Sequence, residues 1–180
     1  GLGLPTTANY LVVAALMANV IVEIGGASGI VLPLIAVHLY VFYFGLMADV
    51  TPPVGLAAYA ASGLANANPF KIALVSCQFG CSAFIIPYFF AYNPVLIGID
   101  ASATTIILTS FSAIIGSLCL SFCIQGWLIF KLLLIERFGY IVVTFCLLSA
   151  SLKTDLVGFA LLSILLCFHY ISRNQSRNLE

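Results

Sequence analysis

Asp49-Val50-Thr51-Pro52-Pro53 interrupts a run of sequence that otherwise suits the interior of a bilayer. Before it, residues 31–48 are apolar and aromatic; after it, residues 54–65 (VGLAAYAASGLA) form a short stretch of small residues ended by Asn66, Asn68 and Pro69. Prolines disrupt a helix interior but suit its first turn. The pattern therefore predicts a helix that stops near 48 and restarts near 54, with Thr51 as the N-cap of the second piece. Unpaired backbone in hydrocarbon costs several kcal/mol per group, so such a break is tolerated only against protein or a water-filled cavity. Asp49 adds a carboxylate two residues before the break, where an ionisable group marks a pathway or an ion site by default. The bland alternative is a plain loop with an interfacial Asp. It has to make 54–65 interfacial, although its Gly, Ala, Ser and Tyr content suits close helix packing.

A second stretch has the same design. Residues 4–19 (LPTTANYLVVAALMAN) also open on a Pro/Thr tip, run through about three Ala-rich turns and end at Ala-Asn. Thr6 or Thr7 is the expected N-cap of a half-helix beginning near Ala8. A half-helix N-terminus carries about half a positive charge, which favours an anion, and free carbonyls at a break can coordinate Na⁺.

Composition supports the membrane setting. Of 180 residues, 63% are hydrophobic and 7% charged, with a mean hydropathy of +1.19, against about 25% charged in a soluble domain. Net charge is zero, and no basic patch suited to nucleic acid is present. The six cysteines lie in apolar runs without convergent metal-ligating partners, so they read as small packing residues. Residues 10–24 and 31–48 are short or marginal against the ~20 residues that a crossing needs. Residues 25–29 read as a Gly-rich loop, with Glu23 at an interface. Residues 70–92 read as one span kinked at Pro87, and 104–130 as another with Trp127 near an interface. Residues 138–151 and 155–170 read as short runs, and a polar tail begins at Ser172. Gln78, Gln125, Thr104, Thr105 and Thr109 read as interhelical hydrogen-bonding groups, Gly80 and Gly116 as packing sites, and His38 as a packed or hydrogen-bonded histidine.

These readings predict an all-α polytopic membrane protein with a re-entrant half-helix and a discontinuous helix. Its segments are 1–69 (hairpin tip, half-helix and broken helix), 70–130 (two full spans), 131–171 (a pair of short membrane helices) and 172–180 (tail). The distribution of Lys and Arg places the tail, Lys131 and Arg137 inside and Lys153 outside. An enzyme is disfavoured. An aspartyl protease needs two carboxylates where only Asp49 has a plausible midplane position, and a serine protease needs a nucleophile that His38 lacks.

GLGLPTTANY, HLYVFYFGLMADVTPPVGLAAYAASGLANANPFK and FIIPYFFAYNPVLI together resemble the large membrane component of tripartite ATP-independent periplasmic (TRAP) transporters. The nearest likeness is to fused permeases paired with TAXI-type binding proteins. That resemblance implies an elevator-type secondary transporter of the bacterial inner membrane. It would be driven by Na⁺ or another cation and take organic anions such as carboxylates from a periplasmic solute-binding protein. No cofactor is implied beyond the coupling ion. By position, Gly3, Pro5, Thr6 and Thr7 resemble the hairpin tip. Asp49, Thr51, Pro52, Pro53 and Gly55 resemble the broken helix that helps form cation and substrate sites. The chain opens on Gly1, inside the first motif, as expected of the C-terminal part of a longer permease. The remaining N-terminal part then counts as a partner, alongside membrane lipid. The competing reading is a non-transporting or truncated membrane subunit or anchor.

Overall fold

The computed structural model describes residues 4–149 and 151–177, with side chains described through Ile171 except at residue 150. Gly3 lies outside the described residues. The described residues form eight α-helices and one 3-10 turn, grouped into two compact units, 1–100 and 101–180.

The first unit contains α1 (Thr6–Ala27), α2 (Leu34–Met47), α3 (Leu56–Ala65), α4 (Pro69–Phe79) and α5 (Cys81–Tyr92), followed by the 3-10 turn Pro94–Ile97. Helix α1 is longer than expected. It has 22 residues and is long and apolar enough to cross a membrane, whereas its pattern predicted a half-helix ending before a loop at 25–29. Gly25 and Gly26 continue the helix, and Gly25 is buried there: a Cβ at Gly25 would lie 3.1 Å from the Ile30 carbonyl oxygen. The usual penalty of glycine in a helix, about 1 kcal/mol against alanine, is offset by this close return of the chain. Ala14, Ala18 and Gly25 of α1, with Ala36 and Gly45 of α2, supply small buried residues on two helices that pack together. Small side chains allow backbones to approach where apolar burial gives little drive.

Residues 70–92 form two helices rather than one. Helices α4 and α5 meet at Gly80 with a 41° bend. The bend is at the glycine, while Pro87 lies buried inside α5. Asn68 caps α4 through its side-chain oxygen, which accepts from Phe70 N (2.9 Å) and Lys71 N (3.3 Å), and Pro69 takes the first turn. Four aromatic rings, Tyr40 and Phe44 on α2 with Phe84 and Tyr88 on α5, join those helices at centroid separations of 5.2–6.3 Å.

The second unit is three helices: α6 (Ala103–Gln125), α7 (Leu134–Leu148) and α8 (Leu152–Arg177). Helix α6 stops sooner than 130 because Gly126 takes a left-handed conformation (φ 67°) and turns the chain. Trp127 then stands in the connection, 59% exposed. Helices α7 and α8 both begin earlier than their apolar runs suggest, and α8 continues through the start of the expected tail. Its stretch 152–171 is long and apolar enough to span. Ser112, Gly116, Cys119 and Cys123 make one buried stripe of α6, facing Tyr140, Val143 and Leu147 of α7 in the core cluster. The opposed positions 139/165 and 147/158, where Gly139 meets Leu165 and Gly158 meets Leu147, show that α7 and α8 run antiparallel.

With α1, α6 and α8, three described helices reach spanning length, and the bent α4–α5 pair brings the number to four. The membrane-helical fold class thus stands.

Candidate functional site: the broken helix and the first turns of α1

The chain between α2 and α3 folds as a succession of turns. Asp49 N–H donates to Leu46 O (3.3 Å), Val50 N–H to Met47 O (3.2 Å) and Gly55 N–H to Thr51 O (3.0 Å). Pro52 and Pro53 contribute no donor, and the peptide bond between them is cis. Gly55, not Thr51, is the N-cap of α3. Its backbone is left-handed (φ 41°), which glycine adopts without a Cβ penalty. Thr51 ends four residues short of the helix because residues 51–55 close a turn of their own, and its hydroxyl donates back to Met47 O at 2.6 Å. The orphan donor at the start of α3 is met by the break itself: Ala57 N–H donates to the backbone oxygen of Asp49 (3.1 Å).

The expected partner of the break is in place, with changed roles. Pro5 is the N-cap of α1, no side chain caps its first turn, and Thr6 is the first helical residue. The Thr6 hydroxyl instead donates to Asp49 Oδ2 at 2.8 Å. The Asp49 carboxylate is thereby held at the N-terminus of α1, where the helix dipole favours negative charge. Thr7, also an N-cap candidate, is exposed and makes no such contact. Pro5 and Pro53 are exposed, Asp49, Thr51 and Pro52 half-buried, and Gly55 buried with Ala73 of α4 next to it.

Two further residues tie α1 to α2. The buried Asn9 sends its amide toward Gly45 O in a long contact (3.4 Å), and its Oδ1 is buried without a hydrogen-bond partner. Tyr10 OH and His38 Nδ1 lie 3.0 Å apart, so His38 is hydrogen-bonded, as an imidazole in an apolar run requires. Asn9 and Thr51 both line a cavity of about 390 Å³, with Met17, Phe44, Gly45 and Phe84 among its walls. It is an apolar chamber with a few polar groups, one of them an amide oxygen with a free lone pair. Asn9 was readable as part of the PTTAN tip, but nothing in its spacing distinguished it from its neighbours. The bend at Gly80 abuts the break: a Cβ there would be 3.9 Å from Met47 Sδ and 4.0 Å from Val50 Cγ2.

A buried pair in the second unit had no sequence signal. Glu136 Oε1 and His169 Nδ1 are 2.9 Å apart with both side chains 2% exposed. Glu136 Oε2 also accepts from Leu133 N–H at 2.6 Å. The partners are 33 positions apart on two helices, so only packing brings them together.

Among curated proteins nothing matches this chain, and no solved structure matches it. The family model described as "Tripartite ATP-independent periplasmic transporter, DctM component" matches residues 1–104. The match takes in the broken helix, its partner turn and the bent pair, and it stops at the second residue of α6. Two features of the fold agree with a transporter family: helices of spanning length, and a part-buried hydrogen bond from Thr6 to Asp49 where the chain turns between α2 and α3. The chain belongs to the DctM-component family of TRAP transporters.

Proposed function

We propose that this chain forms part of a Na⁺-coupled secondary transporter for organic anions such as carboxylates. In this reading it works in the bacterial inner membrane and receives substrate from a periplasmic solute-binding protein, and it is of the fused, TAXI-associated kind. The family supplies the coarser statement, a TRAP permease component that works with a periplasmic binding protein. The observation that carries the finer reading is the Thr6–Asp49 hydrogen bond (2.8 Å), which joins the first turn of α1 to the break between α2 and α3 beside a cavity. Asp49 supplies the charge that attracts a cation. The Asn9 amide oxygen, Thr51 and the break's backbone carbonyls supply neutral oxygens, the ligand type that hard cations take. Pro52, Pro53 and Gly55 set the backbone path that exposes those groups. Pro5 and Thr7 belong to the tip that lies beside them, and Gly3 is assigned to the same tip from its sequence alone. We place the complementary half of the site, and the elevator scaffold, in parts of the permease outside residues 1–180.

The test is uptake by proteoliposomes holding the complete permease with its binding protein, with and without a Na⁺ gradient. Asp49→Asn and Thr51→Val are expected to lower Na⁺-driven uptake at least tenfold while the protein remains folded and membrane-inserted. Unchanged uptake and unchanged ion dependence in both variants would remove these residues from the mechanism. Because the chain supplies one broken helix, the alternative of a non-transporting subunit that acts through a partner chain stays distinct. Uptake that persists with residues 1–180 deleted would favour it.

A further inference from the structure

The break between α2 and α3 has a neighbour that the candidate site does not use. Helices α4 and α5 bend by 41° at Gly80, and the bend lies against the break. A Cβ at Gly80 would stand 3.9 Å from Met47 Sδ and 4.0 Å from Val50 Cγ2. Met47 ends α2 and lines the candidate chamber, and Val50 stands between Asp49 and Thr51. Gly80 N–H donates to Ser76 O (2.8 Å) and Gly80 O accepts from Ala83 N–H (2.9 Å). The backbone keeps these bonds through the bend, so the bend answers to what is packed beside it rather than to a lost hydrogen bond.

Packing divides the helices on either side of this point. Helix α2 packs against α1 and α5, whereas α3 packs against α4. The chain joins the α3–α4 hairpin to α1, α2 and α5 at two places, residues 48–55 and Gly80. A body held at two adjacent short segments turns about the line through them, and hinges of this kind are a few residues at element ends. A turn of the hairpin reaches the site residues directly. Gly55, at the start of α3, is seated on α4: a Cβ there would be 3.5 Å from Ala73 Cβ. Gly55 N–H donates to Thr51 O (3.0 Å), and Ala57 N–H donates to Asp49 O (3.1 Å). A tilt of α3 and α4 therefore pulls on the backbone of Thr51 and Asp49.

We propose that Gly80 is a positioning residue for the cation site: the bend and the break act as one joint, through which the tilt of the α3–α4 hairpin sets the spacing of Asp49 and Thr51. The inference rests on the cation reading given above for those two residues. An alanine at position 80 nearly fits. Its Cβ would come to 3.3 Å from Ser76 O and make ordinary contacts with Met47 and Val50. The γ-methyls of a valine reach past that contact and have to displace Val50 or Met47.

The complete permease with its binding protein, in proteoliposomes, gives two readouts. The first is the Na⁺ concentration for half-maximal uptake, set against the maximal rate per inserted protein. The second is the distance between spin labels at Leu64 of α3 and Leu16 of α1, 94% and 69% exposed, with the native cysteines replaced by alanine. Gly80→Val is expected to raise half-saturating Na⁺ at least about fivefold with the maximal rate within about twofold, and to shift the label distance. Adding Val50→Ala should return both readouts toward those of the unmodified permease, because it vacates the volume that the valine takes. Gly80→Ala should leave both nearly unchanged. Should the valine variant not insert, Gly80→Ser, with one γ atom in place of two, is read in the same way. Unchanged Na⁺ half-saturation in Gly80→Val, a fixed label distance, or a defect that Val50→Ala does not reverse overturns the proposal. Uptake by the unmodified permease that ignores Na⁺ refutes the cation reading instead, and the label distances then decide by themselves whether bend and break are one joint.

Discussion

Asp49 illustrates how one residue acquires its setting from both directions of the chain. Its side chain is held by Thr6, 43 positions earlier, and its carbonyl oxygen is held by Ala57 at the start of α3. The carboxylate thus rests on the positive end of one helix while its own backbone caps another. Glu136 is comparably committed, to His169 and to the α7 N-terminus. A buried pair contributes little net stability, but removing one partner strands the other and costs about 3–5 kcal/mol. Glu136→Gln keeps a hydrogen bond and is expected to be tolerated, whereas His169→Leu should lower the unfolding free energy by about 3 kcal/mol. The double change Glu136→Leu, His169→Leu should recover most of that loss. Thermal unfolding in detergent reads all three.

At the scale of helices, glycine marks where neighbours touch and where a helix turns aside. Gly158 admits Leu147, since a Cβ there would approach the leucine side chain to 2.8 Å, and Gly139 admits Leu165 at the same distance. Gly158→Val is expected to push α7 and α8 apart and to cost about 1–3 kcal/mol, the usual range for overpacking; a fall in unfolding temperature measures it. Sequence pattern located the break at 49–53 and its partner at 4–7 because proline, threonine and a lone carboxylate are rare in apolar runs. It misplaced the caps, since whether a threonine caps a helix depends on where the turn before it closes, which non-local contacts decide. It ended α1 too early because Gly25-Gly26 reads as a loop until a returning segment is packed against it. The bend at Gly80 was assigned to Pro87 for a similar reason: proline is the visible kink signal, while glycine bends a helix only in answer to what lies beside it. Here Met47 and Val50 lie beside it.

For the molecule as a whole, the two units differ in how they can be read. The first, 1–100, carries the family's likeness and the polar junction. The second is three helices, of which α6 and α8 are long and apolar enough to span, α8 over 152–171, where its sequence first reads as a short run. Two ends of one spanning helix lie on opposite sides of a bilayer. Cysteines placed at Lys153 and Asn178 should therefore label from opposite sides with a membrane-impermeant maleimide. Labelling of both from one side would refute the crossing. Paired contacts such as Glu136–His169 join residues far apart in the chain and leave no periodic trace, so this unit's core was the least legible part of the sequence.

Helix α1 is fastened unequally along its length. Thr6, Asn9 and Tyr10 reach across to Asp49, Gly45 and His38, all within the first two turns. Farther along, the buried residues of α1 are Ala14, Ala18 and Gly25, none of which offers a polar side chain. Hydrogen bonds are directional and hold register, whereas smooth apolar surfaces slide at small cost. At its far end the chain returns at once, with Ile30 N–H donating to Gly25 O (2.8 Å), so directional contacts pin both ends of α1 and a sideways force would bow the rod between them.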